Sequence, residues 1–368
     1  MLKLIFVLQL LYVSTSSLGM EVVYEWWTNN MEFAFPSQEF RNESIANGTF
    51  IPEYFEINSL APHKHRMFIT LPWELRNFVT VAYINLNETS KMSPKIMPYP
   101  GWDAHLPDER GERRIGEVFR ARVDRCDRLW LLEKVSDHDH LRIIVMDLNS
   151  DKIIRTYTFP AALHFKKFFH WIVVDDGHCE NTFAYVNDYS LGGLWTYSWA
   201  EDDSWHNDGY DTITDMILVP NSDDAFSTLY YQLNSRVVFF VSTKHLRDKH
   251  NVSSMVHLSY MKSDSIYLRT SAFDPATNVL YNYELSNNKN LRLLLCWDRR
   301  NECHVNGISE LKLNVDDYTA LREYMAVDGQ GNLWIEARRG PKTVLLKFSP
   351  LINICTEVYD STQRLLST

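Results

Sequence analysis

The sequence predicts an all-β fold: a six-bladed β-propeller of four-stranded antiparallel blades around a central channel. Three observations carry this. One pattern recurs about every 50 residues: an apolar residue or two, an Asp, a short polar turn, then an apolar or aromatic run. A period of roughly 40–50 residues built from short strands marks a propeller, one blade per period. Between the copies lie further strand–turn–strand pairs, and a 3.6-residue apolar period is weak almost everywhere.

The copies are centred on Asp124, Asp175, Asp224, Asp274 and Asp328. The clearest are Val123-Asp-Arg-Cys-Asp-Arg-Leu-Trp130 and Val327-Asp-Gly-Gln-Gly-Asn-Leu-Trp334. A sixth, degraded copy spans Leu60 to Thr70, with His63 near the Asp position. These Asp residues resemble calcium ligands. The stronger expectation is a turn cap, since Asp before a tight turn bonds its own backbone. The second element of each repeat reads as paired strands. Examples are Leu141–Asp147 with Ile153–Thr158, Gly193–Ser198 with the segment through Trp205, and Val237–Ser242. Short helices are expected around Trp26-Trp27 and from Asp316 to Leu321. Asn85–Arg114 and Leu285–Glu323 break the spacing and read as long loops.

The chain has 368 residues and begins with Met1-Leu-Lys3, an apolar run from Leu4 to Val13, then small and polar residues to Gly19. That order reads as a signal peptide over residues 1–19, leaving residues 20–368 as one propeller domain. No later stretch is long and apolar enough for a membrane span. The expected protein is therefore secreted and extracellular. A net charge of −10 argues against binding a phosphate backbone, so no nucleic-acid partner is expected. Export makes sequons meaningful; they begin at Asn42, Asn47, Asn87 and Asn251.

Five cysteines are present: Cys126, Cys179, Cys296, Cys303 and Cys355. Export favours disulfides, and the odd count leaves one over, free or bridging to another chain. Cys126 and Cys179 follow the Asp of successive copies and can occupy similar levels of adjacent blades. Spacing alone does not fix the pairing.

Strong catalytic motifs are missing: no nucleophile elbow, Walker loop, His-Glu-x-x-His or paired Cys-x-x-Cys occurs. Asp137-His-Asp-His140 looks like a metal cluster, but neighbours in an extended segment splay apart, and a solvated loop is the better reading. His63, His65 and His170 are read the same way, and no cofactor is expected. Cys303-His304 is excluded as a nucleophile pair because adjacent strand residues face opposite sides. Glu323 and Arg338 flank the last Asp turn on antiparallel strands. They are expected side by side at the channel mouth, as a ligand contact or as an ion pair.

The ordered set Arg125-Cys-Asp-Arg-Leu-Trp130, Cys179–Asp188 with Gly192-Gly-Leu, Asp202-Asp-Ser-Trp205, Cys296-Trp-Asp298 and Asp328–Trp334 resembles the yellow / major royal jelly protein family of insects. The resemblance runs from about Tyr24 to Cys355. It implies a secreted six-bladed propeller with disulfides Cys126–Cys179 and Cys296–Cys355, leaving Cys303 as an extra. Its members include dopachrome-converting enzymes, cuticle pigmentation proteins, royal jelly nutrients and salivary scavengers of biogenic amines. This chain departs from the pattern at Trp73–Thr80, and it has Glu133-Lys-Val135 where Asp-x-Gly is usual. The Thr and Asn that contact the amine in salivary members fall on Glu323 and Arg338. A Glu can bind an ammonium group, whereas a neighbouring Arg competes for it.

The leading expectation is a non-catalytic binder of a small ligand, of amine or catechol type, at the channel mouth. Glu323, Arg338, Asn187 and Asp188 are the contact candidates. The second is a dopachrome tautomerase, with Glu323 and Arg338 as base and cation. The third is a structural or nutritive secreted protein. A lactonase-like channel metal ranks last. The protein is expected as a monomer or weak oligomer, with Cys303 available for an intermolecular bridge.

Overall fold

Each repeat becomes one antiparallel sheet. A computed structural model describes residues 20–27, 30–53, 56–72, 78–107, 109, 113–135, 140–162, 171–188, 192–208, 212–221, 225–233, 237–250, 260–262, 271–276, 279–285, 291–294, 311–312 and 320–349. Strand β1 (Met20–Trp27) comes first, followed by helix α1 (Gln38–Ala46). β2 (Ser59–His63), β3 (Arg66–Thr70), β4 (Val81–Asn85) and β5 (Met97–Pro98) form the first sheet. β6 (Glu117–Val123), β7 (Arg128–Val135), β8 (His140–Asp147) and β9 (Lys152–Ala162) form the second. The third holds β10 (Ile172–Asp175), β11 (Phe183–Asn187), β12 (Leu194–Ser198) and β13 (Asp203–Asn207). The fourth holds β14 (Ile213–Val219), β15 (Thr228–Leu233), β16 (Val237–Ser242) and β17 (Tyr260–Lys262), with helix α2 (Thr243–Leu246) after β16. β18 (Ser271–Asp274), β19 (Val279–Leu285), β20 (Leu291–Leu294) and β21 (Leu311–Lys312) make the fifth. β22 (Ala320–Val327), β23 (Leu333–Arg339) and β24 (Lys342–Phe348) make the sixth, whose fourth strand is β1.

The first strands of the sheets touch in a ring: β2 meets β6, β6 meets β10, β10 meets β14, β14 meets β18, β18 meets β22, and β22 meets β2. This is a β-propeller, with those six strands around the axis.

Sheet-on-sheet packing explains why many strands are apolar throughout instead of alternating. Leu129 and Leu131 of β7 pack with Ala61, Phe68 and Val81 of the first sheet. Trp130 and Leu132, pointing the other way, pack with Ile172, Ala184, Val186 and Tyr197 of the third. Successive side chains alternate faces, and here both faces are covered. Full burial of each such side chain contributes about 1.5–3 kcal/mol.

Trp26 and Trp27 lie on a strand, correcting the expected helix. β1 is held by a ladder to β24 running from Met20–Phe348 to Trp27–Lys342, and tertiary pairing overrides local preference. Ala320 and Leu321 of the second expected helix belong to β22, while residues 313–319 lie outside the described residues. Helix α1 is capped by Ser37, whose Oγ accepts from Phe40 N at 3.1 Å. Among its described residues the Asn85–Arg114 segment contributes β5 and a 3-10 turn at Trp102–Ala104.

Asp124, Asp274 and Asp328 cap their turns as expected, whereas the Asp175 carboxylate accepts from the side chains of Tyr185, Ser227 and Arg247 instead of from its own turn. Asp124 Oδ1 accepts from Cys126 N and Arg128 N at 2.9 Å each. Asp328 Oδ1 accepts from Gln330 N and Asn332 N at 2.9 Å each. In both turns the residue three after the Asp takes a left-handed backbone: Asp127 at φ 55° and Gly331 at φ 80°. Asp274 caps Ala276 N at 2.9 Å. Asp224 lies outside the described residues.

The same turns latch neighbouring sheets. His63 Nε2 pairs with Asp127 Oδ1 at 2.6 Å, joining the first and second sheets. Cys126 and Cys179 form a disulfide between the second and third. Asp175 accepts from Ser227 Oγ at 2.8 Å and from Arg247 Nη2 at 2.5 Å, joining the third and fourth. Cys296, Cys303 and Cys355 lie outside the described residues.

Candidate functional site

The six axial strands enclose a cavity of about 260 Å³ toward their C-terminal ends, beside the Asp turns. Every one of these strands contributes to its wall, for example through Pro62, Val123, Val174, Ile217, Phe273 and Val327. The lining is largely apolar and carries two charged residues, Arg122 and Asp176. A concave apolar space with few polar groups is the usual form of a small-ligand site.

Arg122 projects from β6, two residues after Arg120. Its Nη1 donates to Ala121 O at 3.0 Å, and among the described residues it forms no ion pair. Burial pushes its pKa down to about 10, helped by repulsion from Arg120 and opposed by Asp215 on β14. It therefore remains cationic at neutral pH. Asp176 follows β10; burial holds its carboxyl above the usual range, against the pull of the Arg125 N–H and guanidinium. Its Oδ2 accepts from Arg125 N at 2.5 Å.

Arg120 lies further from the Asp turns. Its guanidinium stacks between Trp171, 4.5 Å from the ring centroid, and Tyr324, 4.7 Å away. Its Nη1 donates to Asn58 O at 2.7 Å. These residues come from β6, the approach to β10 and β22, so the stack joins three sheets.

The residues singled out from sequence lie toward that other end. Asn187 is fully buried; its Oδ1 accepts from Trp171 N at 2.7 Å and its Nδ2 donates to Ile213 O at 2.9 Å. Asp188, also buried, accepts from Trp195 Nε1 at 3.0 Å and lies 3.5 Å from His206 Nε2. These bonds tie strand ends together. Arg338 on β23 stands opposite Ala320. Glu323 falls in a break of register between Leu321 and Met325, so the pair is not directly cross-strand as expected. The break adds residues to β22 and shifts the alignment. Arg122, Asp176, Arg120, Trp171 and Tyr324 were not foreseen. Their signal is the alternation Arg120-Ala-Arg122, which places two charges on one face of an axial strand.

Glu133, a departure from the family pattern, is buried. Its Oε2 accepts from Arg142 Nε at 2.8 Å, and its Oε1 accepts from Gly116 N. Burial raises its pKa, opposed by Arg142 and the Gly116 N–H. Of Asp137-His-Asp-His140, the first three lie outside the described residues, and His140 Nδ1 lies 3.1 Å from Phe159 O. His170 lies outside them as well. Among the described residues no group of three or more His, Cys, Asp or Glu gathers to hold a metal, and no helix is long and apolar enough to cross a membrane.

The sequence profile of the major royal jelly protein family matches residues 117–214 and 206–351. Protein yellow of Drosophila erecta is 30% identical over 269 aligned positions, covering 64% of this chain and 49% of that protein. Protein yellow of Drosophila subobscura is 31% identical, covering 64% of this chain and 47% of that protein. The chain thus spans about half the length of the curated relatives it matches. Among solved structures, apo aldose sugar dehydrogenase of Escherichia coli aligns over 91% of this chain and all of its own, with a TM-score of 0.50 and 12% identity. That likeness concerns the fold alone.

Proposed function

This chain belongs to the major royal jelly protein family, and from that premise we propose that it is an exported propeller that binds one small organic ligand in its channel without transforming it. Each of the six four-stranded sheets is read as one blade. The observation that carries the proposal is the cavity: about 260 Å³, walled by all six axial strands, mostly apolar, with one cation and one carboxyl. That volume lies just under the roughly 300–1,000 Å³ of drug-sized pockets, which suits a small molecule of amine or catechol type. At the opposite mouth, Glu323 and Arg338 are proposed as further contacts, with Asn187 and Asp188 shaping the rim. Isothermal titration against a panel of aromatic amines and catechols tests this. Saturable one-to-one heat with at least one supports it; silence across the panel overturns it.

A dopachrome tautomerase is the second reading. It is favoured by one observation: Asp176, a carboxyl whose pKa is raised, shares the cavity with Arg122. A poised base beside a cation is what proton transfer next to a carboxylate requires. Dopachrome absorbance decaying no faster than in buffer removes this reading.

Export implies glycans on exposed Asn42, Asn47 and Asn87, and on Asn251, which lies outside the described residues. A mobility shift on glycosidase treatment of the secreted protein checks them. The protein is proposed to act as a monomer or a weak oligomer, with Cys303 as the bridging thiol. Non-reducing electrophoresis distinguishes the two.

A further inference from the structure

We infer that the channel selects a ligand carrying a single carboxylate, which pairs with Arg122 while an apolar or aromatic body fills the rest of the cavity. This deepens the binding reading above and rests on it.

The arginines of this protein set the contrast. Arg66 meets Asp151 at 2.8 Å, Arg128 meets Asp124 at 2.6 Å, Arg142 meets Glu133 at 2.7 Å, and Arg247 meets Asp175 at 2.5 Å. Arg120 donates to two backbone carbonyls and lies between two rings. Arg122 has one hydrogen bond, to its neighbour's carbonyl, and no ion pair among the described residues. It nevertheless sits in the wall of the channel, enclosed by protein and reached by solvent only as a half-buried side chain of the cavity.

A guanidinium in such a place is costly unless something pairs with it. It presents up to five N–H donors in a flat fork that matches a carboxylate, and one is spent on Ala121. The Asp215 carboxylate acts on it only as a field from β14. An incoming carboxylate would supply the missing partner at close range, in surroundings that screen charge poorly.

The remainder of the wall defines the rest of the ligand. Val174, Met216, Ile217, Phe273 and Met325 offer apolar surface and no charge. Asp176 stands in the same cavity and repels a second negative group, so dicarboxylates and phosphates are disfavoured. The class that fits is a small aromatic or aliphatic monocarboxylate.

Three probes with the same ring separate the possibilities: indole-3-acetate, tryptamine and indole. Titrated calorimetrically into the intact protein, indole-3-acetate is expected to bind about tenfold or more tightly than the other two, the effect of one charge-assisted pair. Arg122→Gln should remove the difference, and Arg122→Lys should keep part of it, with circular dichroism confirming that both variants fold. Equal affinities, tighter tryptamine, or a preference that survives in folded Arg122→Gln overturns the carboxylate inference and leaves channel binding standing. Heat from none of the three overturns the carboxylate inference; channel binding itself falls only if the amine and catechol panel is silent too. Should the glutamine variant fail to fold, the ranking in the unaltered protein decides alone.

Discussion

Asp328 accepts the indole N–H of Trp334 at 2.8 Å, and Asp124 makes the same bond to Trp130 at 2.7 Å, six residues along in each case. Each Asp thus ties its turn to the strand that follows. Both oxygens are used, one for the turn amides and one for the indole. Trp334→Phe should cost about 1 kcal/mol, for one lost bond, and Asp328→Ala about 1–3 kcal/mol, for stranded donors. Urea unfolding monitors both. A chelator should leave the unfolding midpoint unchanged, since these carboxylates serve as caps and not as calcium ligands.

The Cys126–Cys179 bridge spans 53 residues and ties two sheets at their Asp turns. Replacing both cysteines by Ala should lower stability by about 2–4 kcal/mol. Denaturant titration of the double variant measures this. Peptide mapping under non-reducing conditions should also find Cys296 joined to Cys355, with Cys303 in a separate peptide.

Gly116 has no room for a side chain. A Cβ there would lie 2.7 Å from Glu133 Oε1, the atom that accepts the Gly116 amide. Gly116→Ala should destabilise the protein by about 1–3 kcal/mol, because a buried carboxylate must move away from Arg142. Thermal unfolding reads the loss, and Gly177→Ala, where a Cβ meets nothing within 4 Å, is the control.

His206 lies between Asp188 and Asp208, at 3.5 and 3.0 Å, with the Trp195 ring beside it. Burial pulls its pKa down, but the two carboxylates outweigh burial and hold it above the ordinary 6.5. A raised value means the folded state binds the proton more tightly. The stabilisation is therefore full below about pH 6.5 and is lost as pH rises through the folded-state value. Melting temperatures from about pH 5.5 to 8.5 should fall more steeply in the unaltered protein than in His206→Gln. Parallel curves would contradict this assignment.

Local chemistry was legible in the sequence, and long-range register was not. The Asp caps follow from residues within six positions of one another, so the turn motif predicts them. The Cys126–Cys179 level follows from the repeat period. Trp26 and Trp27 carry no local strand signal, because their strand is created by a partner more than 300 residues later. Position relative to Asp328 alone sets Glu323 beside Arg338. The irregularity between Leu321 and Met325 displaces that alignment, and no residue type announces it. Asn187 and Asp188 look available in sequence, but Trp171 and Trp195 occupy them. Arg122 was readable as one of two charges alternating on an apolar strand. Its lack of a carboxylate partner becomes visible only once the ring is closed.

Pairing of β1 with β24 has a consequence for biosynthesis. Glu25 meets Lys342 at 2.7 Å and also bonds Arg339, 314 residues away. β1 is thus made long before its neighbour β24, and its backbone edge stays unpaired until that strand arrives. Ring closure therefore cannot precede the synthesis of residue 348.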